Sequence, residues 1–193
     1  PAAPAVATDL RSFTAVTASV GSASFIGIDG LTLAVNSLTV DINKGGGTNA
    51  GVASTTAIDF SADPLAVNTG GGNSLTIDYA AETLKAEGSV DIGVFGFFFV
   101  SGNFAFEKSS RLITVTNGTT TESIQVNLLT VGASGVDAFA GVNGPASNPG
   151  ALGQSLTDVG FALALMKPAS AAQPGASDLR SWTSLKAEVG GAS

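Results

Sequence analysis

Histidine and cysteine are both absent from this 193-residue chain, and Trp, Tyr and Met occur once each. Without His the usual general base and proton shuttle are missing. Without Cys there is no thiol nucleophile, no disulfide staple and no sulfur ligand for zinc. These gaps remove most enzyme chemistry, and a non-enzymatic role is expected. Cations are scarce too: eight Lys and Arg, spread singly, stand against fifteen Asp and Glu for a net charge of −7. Nucleic acid and anionic membrane surfaces require clustered cations, so neither is expected as a partner. The most apolar run, Val90 to Val100, holds eleven residues including Asp91, too short to cross a bilayer as a helix. No membrane insertion is expected. The Gly clusters at 45–47 and 70–72 lack the following Lys-Ser/Thr of a phosphate-binding loop and read as loop tips.

What the chain does contain is a second copy of its own beginning. Residues 9–24 read DLRSFTAVTASVGSAS and residues 178–193 read DLRSWTSLKAEVGGAS, identical at ten of sixteen positions with an offset of 169. Chance agreement at one position is on the order of a tenth in a chain so rich in Ala, Ser, Gly, Thr and Val, so the match is internal repetition. The organisation expected is a linker at 1–8, one β-rich repeat at 9–168, a second linker at 169–177, and at 178–193 the first strand of the next repeat. A chain that restarts itself reads as a slice of a tandem array whose units contact chiefly their neighbours. A weaker echo, F-x-G-[IV]-[DN]-G, occurs at Phe25–Gly30 and Phe139–Gly144, each followed by Ser-Leu-Thr (Ser37–Thr39 and Ser155–Thr157) and an alternating strand.

Hydrophobicity alternates with period two nearly throughout. From Leu84 to Phe106 every even position is apolar or Gly, which calls for a strand, or strands bent at Gly, with one face on a core. In the middle Phe95, Phe97 and Phe99 make the other face apolar as well, so that stretch is expected to be covered on both sides. Leu31, Leu33 and Val35 have the opposite parity to Leu38, Val40 and Ile42, and a bulge near Asn36-Ser37 is expected to bring both trios to one core. Asn117-Gly118, between apolar runs, predicts a two-residue type I′ hairpin turn, and the same Asn117-Gly118-Thr119 fits a glycosylation acceptor. Helix signals are few. The fold class expected is all-β, with predominantly antiparallel long strands in an elongated sandwich or solenoid-like repeat unit and little or no helix.

No cofactor is expected, and calcium is the only one the residues argue for. Asp41-Ile42-Asn43 opens like an oxygen-ligand loop and Asp29 sits at a turn, making Asp41, Asn43 and Asp29 the calcium candidates, although the terminal Glu of an EF-type loop is missing. Local hydrogen bonding at turns explains the same residues without a metal. Inter-repeat contacts are expected at Leu10, Phe13, Leu179, Trp182, Phe95, Phe97 and Phe99.

The 169-residue recurrence, the Gly/Thr/Val strands, the F-x-G-[IV]-[DN]-G turns and the missing Cys and His together resemble the tandem β-repeats of giant secreted or cell-surface bacterial proteins, of the adhesin-stalk and extracellular-fibre type. The resemblance implies a secreted or cell-surface protein whose partners are neighbouring copies of the same repeat, covalently joined or assembled as a filament. It also implies a structural role, building length and stiffness through end-to-end contacts. Repeats of this class often carry Asp-rich calcium loops, whereas the loop from Gly144 to Gly153 has no acidic residue. Two alternatives remain open at this stage: a carbohydrate-binding, lectin-like repeat, and a filament subunit joined by strand donation.

Overall fold

The structure, a computed structural model, describes residues 8–25, 27–54, 56–169 and 178–193. Of the expected linkers, residues 1–7 and 170–177 lie outside the described residues, as does Ile26 of the first F-x-G turn. The described chain is all-β: β1 (Ser12–Val20), β2 (Ala23–Phe25), β3 (Leu31–Gly46), β4 (Thr48–Asn49), β5 (Val52–Ala53), β6 (Leu65–Gly70), β7 (Asn73–Ile77), β8 (Thr83–Val94), β9 (Phe98–Thr116), β10 (Thr121–Val142), β11 (Leu152–Pro168) and β12 (Trp182–Ala192), with no helix among the described residues. One large antiparallel sheet has the order β1-β3-β8-β9-β10-β11-β12, with β2 also on β3, and it is not closed into a barrel. β4-β5 and β6-β7 are separate two-stranded pairs.

Two compact units divide the chain, Pro1–Ala18 with Val40–Leu84, and Ser19–Thr39 with Lys85–Ser193. In the second, β9 to β12 form a meander whose long strands follow from the uninterrupted alternation read above. Val126 and Leu128 of β10 are buried, as are Val136 and Phe139 further along the same strand. Phe139 has the opposite parity to Val126. The strand corrects this with a bulge: between Ser134 and Asp137 it gains a residue relative to β9, and Gly135 supplies a positive φ of 56°. β11 carries a matching irregularity at Asp158 (φ 53°), whose backbone N–H donates to Asp137 Oδ1 at 3.0 Å.

Two turns differ from the sequence expectation. Thr116 pairs with Thr121, so Asn117 to Thr120 form a four-residue loop instead of a two-residue type I′ turn. The reason lies in the side chain: Asn117 Oδ1 accepts from the N–H groups of Thr119 and Thr120, both at 2.9 Å, which organises the longer loop. The tight turn lies elsewhere, at Phe95-Gly96, where both residues have positive φ (50° and 71°) and Phe97 N–H donates to Val94 O at 3.0 Å. Positive φ is unfavourable for Phe. It is held there by Gly30, whose carbonyl accepts the Phe95 N–H at 2.5 Å and whose missing side chain makes room for the ring.

A Cβ added at Gly30 would lie 2.3 Å from Phe95 Cδ1, and Gly30 itself has φ of 80°. Gly30→Ala is therefore expected to destabilise by about 2–4 kcal/mol, combining overpacking with backbone strain, measured by urea denaturation.

The bulge expected near Asn36-Ser37 is absent. Asp9 bridges Asn49, Thr17 bonds Asp41, and Ala23 pairs with Val35, a register that stays constant on both sides of that dipeptide. With no inserted residue, alternation sets Leu31, Leu33 and Val35 on one face of β3 and Leu38, Val40 and Ile42 on the other. Both trios are half-buried, which is how one unbroken strand accommodates them.

Candidate functional site: the duplicated edge strands

The two copies of the repeated segment become the first and last strands of the sheet order, β1 and β12. They fold alike in detail. Asp9 Oδ1 accepts from Arg11 N at 3.1 Å and Nε at 2.9 Å, and Asp178 Oδ1 accepts from Arg180 N and Nε at the same two distances. The guanidinium closes each clamp with a second contact to Oδ2, 2.7 Å in one copy and 2.6 Å in the other. Arg11 then lies over the Phe13 ring with Cζ 5.9 Å from the centroid, and Arg180 over the Trp182 ring at 5.4 Å. Among the described residues the second copy adds an outside partner, Glu122, at 2.9 Å from Arg180.

The Arg11 hydrogen bonds hold the exposed Asp9 carboxyl down at about 2, and the Arg180 hydrogen bonds lower Asp178 in the same sense. A carboxyl whose pKa is depressed by folding favours the folded clamp above its unfolded value, near 3.9, and loses that contribution as pH falls through the depressed one. Following the Asp9 carboxyl carbon by NMR is expected to give a midpoint about two units below an ordinary aspartate, and Arg11→Ala is expected to return it to the ordinary range.

Both strands use the same set of backbone groups. Thr8 O accepts from Ala50 N and Leu10 N donates to Thr48 O, so alternation aims the N–H and C=O of Thr14 and Val16 at β3. Ser155 and Ser193 exchange both bonds, which by the same alternation aims those of Thr183 and Leu185 at β11. Thr14 and Val16 are the counterparts of Thr183 and Leu185. β3 and β11 are thus equivalent receivers, but neither the F-x-G turns nor the Ser-Leu-Thr triplets are in equivalent places along them. Matching the triplets would set Asp41 beside Val159, whereas the registers set Asp41, facing Thr17, in the role of Ala162, facing Lys186.

The duplicated strands also leave the same apolar positions uncovered. Leu10 and Leu179 are 63% and 88% exposed, Val16 and Leu185 are 38% and 68%, and Val20 and Val189 are 42% and 55%. Of the expected contact residues, Phe13 is exposed, Trp182 half-buried, and Phe95 and Phe97 exposed at their turn beside the exposed Phe98. Phe99 is half-buried and packs on Phe139, with ring centroids 6.3 Å apart, instead of joining that exposed group. The valines and Leu185 were not singled out from sequence, although their recurrence at the 169-residue offset was the available signal.

The calcium candidates are placed apart in their roles. Asp29 is exposed in the turn before β3. Asp41 is half-buried and its Oδ1 accepts from Thr17 Oγ1 at 2.9 Å and Tyr79 Oη at 2.6 Å. Burial, and then the bond to Asp41, push the Tyr79 hydroxyl up from its ordinary pKa. Asn43 is buried, and its Nδ2 donates to Ile58 O at 2.7 Å and Ala81 O at 2.9 Å. These contacts make Asn43 a peg that fastens the 56–82 segment over one face of β3. No group of three or more acidic side chains gathers among the described residues.

A hollow of about 410 Å³ is lined by Asp91, Phe99, Asp137, Phe139 and Pro145 among others. Its two rings pack on each other at an interplanar angle of 48°. No family model, curated protein or solved structure matches the chain.

Proposed function

We propose that this chain is a structural link: a β-repeat that builds length in an extracellular or cell-surface fibre through end-to-end contacts with neighbouring copies. The observation that carries the reading is the duplicated segment, folded the same way twice as the two end strands, with the same three apolar positions left bare in both copies. A lone soluble domain gains nothing from exposing Leu, Val and Leu/Val at repeated positions, whereas a link has neighbours to cover them. An acidic surface of net charge −7 with few lysines keeps such an assembly from indiscriminate association.

Chains carrying one, two and three successive 169-residue periods are the test. Small-angle scattering and electron microscopy are expected to show the longest dimension growing by a constant step per period. Compaction without a regular step would overturn the reading, and specific capture by a glycan array would favour the lectin-like alternative in its place.

A further inference from the structure

The geometry points to a particular joint between copies: β12 of one chain occupies β3 of the next in place of that chain's own β1, while the displaced β1 takes the vacated β11. This rests on the reading of the chain as a link and specifies its contact. Because β1 and β12 present counterpart backbone groups to β3 and β11, the exchange keeps the β1 and β12 ladders while changing which molecule supplies each strand, and Ala192 and Ser193 take the β3 positions that Ala23 and Ser24 of β2 hold in the single chain.

Side chains favour the exchanged arrangement over a neutral swap. On β3, Lys186 takes the place of Thr17 and faces the Asp41 carboxylate, whereas on β11 it faces Ala162, which offers no charge. Opposite charges directly across an antiparallel ladder stabilise it, and like charges destabilise it. The Asp178–Arg180 clamp is carried with the strand and matches the Asp9–Arg11 clamp it replaces. The donation runs head to tail, so it continues into a filament wherever the rotation between copies does not close a ring.

The absence of native cysteine makes a disulfide trap clean. The full chain carrying Asp41→Cys and Lys186→Cys is unfolded, refolded at high concentration and oxidised. A ladder of dimers, trimers and longer species that collapses under reductant is expected, with each single-Cys variant stopping at dimers. Monomer alone, or an equal ladder from Asp41→Cys with Ser184→Cys, overturns the joint. Asp41→Cys also gives up the Thr17 and Tyr79 bonds, so a second variant leaves that site intact. Lys186→Glu is expected to lower the refolded oligomer fraction roughly tenfold, and adding Asp41→Lys is expected to restore it. An unchanged oligomer fraction in Lys186→Glu overturns the joint as well. If these tests fail while multi-period chains still lengthen stepwise, the exchange falls and the link reading stands. If both fail, both fall.

Discussion

Asn43→Asp is expected to cost about 3–5 kcal/mol at neutral pH, although the side chain keeps its size. Asn43 is 1% exposed and donates both protons of one amide to two main-chain carbonyls, Ile58 O and Ala81 O. The carboxylate has no proton to give, so two acceptors lose their partner and a charge is buried against them. Neutralisation offers partial relief. The introduced carboxyl would have a pKa raised by folding, so the destabilisation is least below about pH 4, where both states are protonated, and grows as pH rises until the raised pKa is passed. Asn43→Ala removes the donors without adding the charge and is expected to show a smaller, pH-independent loss of about 2–4 kcal/mol. Urea titrations of the two variants at pH 4 and pH 7 would separate the outcomes. Equal losses at both pH values for Asn43→Asp would mean that the carboxyl finds water or another donor.

Phe139→Ala is expected to destabilise by about 3–5 kcal/mol, the range for deleting a buried ring. Phe139 is 7% exposed, its ring meets Phe99 at 48°, and Cβ atoms added at Gly141 or Gly144 would run into it at 2.8 and 2.6 Å. The surrounding chain is thus shaped to the ring and cannot close over its removal. Phe97→Ala makes the contrast. The same truncation on a side chain 51% exposed is expected to cost no more than about 1 kcal/mol in the isolated chain. Thermal denaturation of the pair distinguishes a ring that holds the fold from one that is free for a neighbour. A large loss at Phe97 would show that the exposed group at the β8-β9 turn is covered.

Much of this was legible in the residues, because strand alternation and tandem repetition are one-dimensional signals. The period of two from Leu84 to Phe106 became β8 and β9, and the Ser155 to Lys167 alternation became β11. The breaks were harder to read. Phe95-Gly96 carries the tight turn because Gly30, sixty-five residues earlier, accepts its N–H and leaves room for its ring. No local pattern announces that. Asn117-Gly118 has the composition of a type I′ turn, yet the carboxamide bonds two following N–H groups and fixes a longer loop. Asp41 and Asn43 were singled out as calcium candidates opening a loop, whereas both lie within β3. Their partners, Thr17, Tyr79, Ile58 and Ala81, come from distant segments, so a ligand pattern and a bracing pattern looked the same from sequence.

The sequence by itself determined that the chain is built of strands and that it begins again near its end, since periodicity and identity survive without coordinates. Only the tertiary structure decided that both copies become end strands, that they present counterpart backbone groups to β3 and β11, and that Lys186 lies across from a neutral residue while its counterpart Thr17 lies across from Asp41. The physical reason is that a strand's two edges and two faces are indistinguishable along the chain. Which edge is paired and which side chain is opposed is fixed only by the register with strands far away in sequence.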